Sequence, residues 1–126
     1  SAGGQPSLLL SSDGQVFGFG QNQGGQLGRG IETTTWTEPR PVAVNTTGVL
    51  QGKRITQISA GLMHSLVLSS DGQVFGFGDN TYGQLGIGRI TWSEKLPIAV
   101  NTTGALQGKR IVQMSAGTTH SLVLSS

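Results

Sequence analysis

Residues Ser59 to Gly78 read SAGLMHSLVLSSDGQVFGFG, and pieces of this stretch occur three times in the chain. Ser1 to Gly20 is a second copy of the whole run, and Ser115 to Ser126 is a close copy of its first twelve residues. Within it, Ser65 to Ser69 (SLVLS) is a short apolar run, Asp71-Gly72 is a turn pair, and Gln73 to Phe77 (QVFGF) is a second apolar run. An Asp-Gly between two strand-like runs signals a β-hairpin, because glycine accepts the positive φ that a tight turn demands. In the equivalent run of the first copy, Gly18 and Gly20 alternate with Phe17 and Phe19. Side chains on a strand point to opposite faces in turn, so aromatics line one face and bare backbone the other, where a further layer can approach closely.

Aligning the copies sets a period of 58 residues from Asp13 to Asp71 and of 56 from Ser59 to Ser115. The two-residue difference falls between Gly30 and Trp36, where Ile31 to Thr35 is matched only by Arg89 to Thr91. Outside that point 39 of 54 aligned positions are identical, so each position is sampled twice. A period in this range points to solenoids or propeller blades. The division expected is repeat one over 1–58, repeat two over 59–114 and a partial third over 115–126.

The rest of the unit supports an all-β reading. Gly25-Gln26-Leu27-Gly28 and its copy Gly83-Gln84-Leu85-Gly86 read as a tight loop with Leu27 and Leu85 tucked in as anchors. A polar, variable loop from Gly30 to Arg40 follows. Pro41 to Asn45 (PVAVN) is then expected as a third strand, beginning on a proline as an edge strand can, and Arg54 to Ser59 (RITQIS) as a fourth. Four short antiparallel strands per unit form a sheet that cannot bury both faces alone and needs another blade on each side. Helix is not expected, since no window of ten or more residues carries apolar side chains every three to four positions.

Composition bounds the function. Charged residues make up 11% of the 126, aromatics 6%, and 21 are glycine. With no cysteine, disulfides and thiolate metal sites are excluded. No apolar run approaches the ~18 residues of a membrane-spanning helix, and no signal peptide is seen, so nucleus or cytoplasm is expected over secretion. The net charge of +2 is too small to argue for nucleic acid.

These residues resemble the regulator of chromosome condensation family, whose repeats form a seven-bladed β-propeller. The pieces that match are SAG followed by His-Ser (Ser59 to Ser65, Ser115 to Ser121), the DGQVFGFG hairpin and the Asn-x-x-Gly-Gln-Leu-Gly-x-Gly run (Asn22 to Gly30, Asn80 to Gly88). The Gly-Lys-Arg-Ile strand entry (Gly52 to Ile55, Gly108 to Ile111) matches as well. The chain departs from the pattern at Gly4-Gln5-Pro6, which stands where the other copies end in histidine, and in holding two units instead of seven. Counted from Arg54, one blade is complete, the first lacks its innermost strand and the last has only two strands. The resemblance implies a propeller fragment acting as a protein-binding scaffold. It also raises nucleotide exchange on a Ran-type small GTPase, with histone at the other rim, and the open ends raise self-association or further blades of the same parent chain.

No catalytic constellation is present, and neither a cofactor nor a metal is expected. His64 and His120 occupy one repeat position with no carboxylate at ligand spacing, so a structural histidine bonded to backbone within its blade is expected. Gly48 to Arg54 fails as a phosphate loop, with three residues between the glycines, arginine after the lysine, and a strand where a helix should follow. Asn45-Thr46-Thr47 and Asn101-Thr102-Thr103 are formal glycosylation sequons, read as turns. The candidate partner-binding residues are Trp36 and Trp92 with Arg40, Arg89 and Lys95 around them, since aromatics and arginine dominate binding hot spots. Two readings stay open for the tryptophans: exposed interface anchors, or indoles packed over the outer edge of their own blade.

Overall fold

The hairpins expected from the repeats are the framework of the protein. The structure is a computed structural model that describes residues 6–21, 37–44 and 48–126. Its strands are β1 (Pro6–Leu10), β2 (Val16–Gln21), β3 (Thr37–Ala43), β4 (Ile55–Ala60), β5 (His64–Ser69), β6 (Val74–Asp79), β7 (Ser93–Ala99), β8 (Ile111–Ala116) and β9 (Ser121–Ser125), with one 3-10 turn at Gly104–Leu106. They form three antiparallel sheets in the orders β1-β2-β3, β4-β5-β6-β7 and β8-β9. The strand that closes each sequence repeat therefore pairs with the hairpin of the next one, and the complete sheet runs from Ile55 to Ala99.

The Asp-Gly hairpin of the central sheet closes through Ser69 N to Gln73 O at 2.9 Å and Gly72 N to Ser69 O at 3.0 Å. The Ser69 hydroxyl also bonds the Asp71 carboxylate. Gly72 is required twice over. Its φ is +84°, and a Cβ there would stand 2.5 Å from Cγ of Arg110. The arginine stem lies across the turn and its Nη2 donates to Ser70 O at 2.6 Å. Arg54 does the same over Gly14, donating to Ser12 O at 2.7 Å. Each Lys-Arg strand entry thus clamps the preceding sheet.

The third strand differs from the sequence reading. It spans Thr37–Ala43 and Ser93–Ala99 in place of Pro41 to Asn45, so Thr37 to Arg40 lie on a strand instead of in a loop. Pairing with β2 and β6 through an irregular register between Gly18 and Gly20, and between Gly76 and Gly78, carries the ladder across the polar residues. The fourth strand is offset by one residue, to Ile55–Ala60.

The central sheet is packed on both faces. Val67, Phe75 and Phe77, with Ile55 of β4, meet Leu8, Val16, Val44 and Leu50 on one side. Leu66, Leu68 and Val74 meet Ile111 on the other, with Leu106, Met114 and Val123 around them. All six residues of β5 are buried. Polar ties stitch the same interfaces: Ile55 N to Gly14 O at 3.2 Å, Ile111 N to Gly72 O at 3.1 Å, and Ala116 N to the Ser59 hydroxyl at 3.0 Å.

Candidate protein-interaction rim

The loop from Asp79 to Trp92 joins β6 to β7, and one buried amide organises it. Asn80 is fully buried; its Nδ2 donates to Arg89 O at 2.9 Å and to Thr91 Oγ1 at 3.1 Å, while its Oδ1 accepts from Leu85 N at 3.1 Å. A single side chain thereby ties the middle of the loop to its far end. Asp79 accepts from Thr81 N at 3.1 Å, Thr81 Oγ1 at 3.2 Å and Gln84 Nε2 at 3.0 Å. Gln84 Oε1 in turn accepts from Tyr82 N at 2.9 Å. Leu85 is buried against Gly76, whose absent side chain leaves it room. This bonding costs little mobility on binding, because the backbone is already fixed.

What the loop presents is apolar. Trp92 is 87% exposed, and Tyr82 and Ile90 are exposed with it. Thr81, Ile90, Thr91 and Trp92 line a shallow groove of ≈ 250 Å³. The Trp92 indole is thus not packed over its own blade. Arg89, on the same loop, has its guanidinium 3.6 Å from Glu94. Lys95 and Arg40 are exposed on the outer strands β7 and β3, so the structure carries both on strands and not within a loop, with Arg40 on the first sheet and Lys95 on the central one. Trp36, Leu27 and Asn45 lie outside the described residues. Tyr82 and Ile90 were not singled out in the sequence, although large apolar residues inside a polar loop were the available signal. Asn80 was visible only as part of a repeated motif.

The remaining candidates have structural roles. His64 is fully buried, and its Nε2 lies 2.9 Å from the Ser121 hydroxyl. The expected bond to backbone within the blade is replaced by a side-chain bond to the next sheet. The ring fits only because Gly61 faces it. Asn101 Oδ1 accepts from Thr103 N at 2.8 Å and Thr103 Oγ1 at 2.7 Å, the geometry of a side-chain-closed turn. Among the described residues no three His, Asp or Glu side chains come together as a metal site would require.

The sequence profile of the Regulator of chromosome condensation (RCC1) repeat matches residues 13–68 and 71–124, and a second profile of the same repeat matches 55–84. The chain belongs to the RCC1 repeat family. Among curated RCC1 relatives it is 38% identical over 125 residues to the probable E3 ubiquitin-protein ligase HERC6 of Homo sapiens, covering 99% of this chain and 11% of that protein. It is 36% identical to the RCC1 domain-containing mitochondrial protein RUG3 of Arabidopsis thaliana, covering 99% of this chain and 26% of that one. The chain therefore spans only a small part of either relative. Among solved structures, human WBSCR16 matches with a TM-score of 0.79 at 25% identity, over 99% of this chain and 30% of that one. Prp20p of Saccharomyces cerevisiae, described with its binding to Gsp1p and histones, matches with a TM-score of 0.83 at 20% identity, again over 99% and 30%. The three sheets are blades of an RCC1-type β-propeller.

Proposed function

We propose that this stretch is a non-catalytic protein-interaction scaffold, and that its binding surface is the rim carrying Trp92, Tyr82, Ile90 and Arg89. Lys95 and Arg40, and Trp36 by its equivalence to Trp92, complete the set. The observation that carries the reading is the 87% exposure of Trp92 on a loop held by the buried Asn80. An exposed tryptophan on a rigid support is a costly feature for folding alone, and it is the residue type that anchors interfaces. In a longer protein such as the ubiquitin ligases this chain is related to, the repeats would recruit a partner while the chemistry sits elsewhere. Trp92→Ala tests it. Partners that co-purify with the full-length parent should be lost, with the melting temperature of the chain unchanged; loss of the fold instead would mean that the indole is structural.

Nucleotide exchange on a Ran-type GTPase is the second reading, prompted by the likeness to Prp20p. At 20% identity that likeness speaks for the fold alone. Absence of accelerated nucleotide release by the parent protein would retire it.

A further inference from the structure

The rim also holds information about the charge of what it binds. The carboxylates at the two ends of the loop, Asp79 and Glu94 on β7, are engaged internally. Asp79 receives the three hydrogen bonds from Thr81 and Gln84, and Glu94 accepts from Thr91 Oγ1 at 3.2 Å. The loop's cation is engaged far less. The Arg89 side chain is 58% exposed against 23% for Glu94, and the two meet only at 3.6 Å. Charge-assisted hydrogen bonds close to about 2.7–2.9 Å, so the fork of donors on this guanidinium is left to face solvent. The ≈ 250 Å³ groove lined by Thr81, Ile90, Thr91 and Trp92 begins at the next residue of the chain, Ile90. That volume falls below the roughly 300–1,000 Å³ of small-molecule pockets and suits one side chain of a larger partner.

We infer that this groove takes a short, extended acidic segment of a partner protein, with an aliphatic or prolyl side chain against the Trp92 indole and a carboxylate on the Arg89 guanidinium. The inference rests on the rim being the binding surface and adds the chemistry of its occupant. Guanidinium and carboxylate match as planar, two-pronged partners, and the indole face offers apolar contact at low entropic cost. A basic segment, including a histone tail, meets like charge at Arg89.

The test uses Trp92 as its own reporter. The chain has two tryptophans, so Trp36→Phe leaves Trp92 emission alone. The probes are the capped peptide Glu-Asp-Pro-Leu-Asp-Glu and its basic counterpart Lys-Arg-Pro-Leu-Arg-Lys. The acidic peptide should shift Trp92 emission saturably and bind at least about tenfold more tightly than the basic one. Arg89→Gln should weaken it by about tenfold, and Arg89→Glu should invert the preference. Calorimetry on the unmodified chain repeats the comparison without the Trp36 substitution. Equal or tighter binding of the basic peptide overturns the acidic occupant while leaving the rim as a binding surface. Acidic-peptide binding that persists in Trp92→Ala removes the rim reading itself. No binding of either peptide at millimolar concentration also overturns the inference.

Discussion

Gly61 and His64 form a unit in which one residue exists to accommodate the other. The imidazole lies where a Cβ on Gly61 would stand 2.5 Å from Cε1, and the Gly117 carbonyl closes the space from the next sheet. Gly61→Ala is therefore expected to cost about 1–3 kcal/mol, as over-packing does, read from the urea midpoint. Gly48→Ala is the control: nothing lies within 4 Å of its position, and stability should move by no more than about 0.5 kcal/mol. Burial pushes the His64 imidazole below its usual 6.5, with the Asp79 carboxylate acting in the opposite direction. The unfolded chain then binds more protons than the folded one. His64 thus contributes fully above about pH 6.5, and stability falls as pH drops below that value toward the depressed pKa. Denaturation midpoints between pH 8 and pH 5 should follow this slope, and His64→Gln should flatten it. The Asp71 carboxylate, held down to about 2 by Lys53 and the Ser69 hydroxyl, acts in a separate window. Its contribution is present above the ordinary 3.8 and is lost as pH falls through about 2.

Among the elements, β5 and β9 share the run Ser-Leu-Val-Leu-Ser and have opposite surroundings. Leu66 on β5 is 1% exposed between two sheets, while its equivalent Leu122 on β9 is 66% exposed at the end of the stack. In this 126-residue chain Leu66→Ala should cost about 2–5 kcal/mol, the range for a buried leucine. Leu122→Ala should stay within about 0.5 kcal/mol, as exposed substitutions do. Equal costs at the two sites would mean that β9 is covered in solution by something other than the sheets described. The outer strands β3 and β7 are the elements that sequence placed least well. Their first halves are mostly polar, with Thr37, Glu38 and Arg40 in one copy and Ser93, Glu94 and Lys95 in the other, and only the ladder to β2 or β6 makes them strand.

At the scale of the molecule, stability comes from sheet against sheet. The central sheet is buried on both faces, whereas Leu9 at one end and Leu122 and Leu124 at the other remain exposed. Repeat arrays of this kind gain stability from each added interface. Appending one more copy of residues 59–114 should therefore raise the melting temperature and reduce dye binding to exposed apolar surface. An unchanged melting temperature would show that the end faces contribute nothing when covered. These exposed faces are the ones that self-association or a further blade of the parent chain would cover.

The hairpins, the glycines of their turns, the period and the membership of the family were all legible in the residues, because each depends on contacts a few positions apart or on a copy of the same motif. Alternation in Phe75-Gly76-Phe77 and the φ of Gly72 are local quantities. Three things were not legible. His64 bonds a serine 57 residues further on. The Trp92 indole points to solvent although an equally plausible reading had it packed. Identical Leu66 and Leu122 end in opposite environments. Tertiary structure decided these because burial is a property of the neighbour brought in from the next repeat, and nothing in a residue's own stretch specifies whether that neighbour is there.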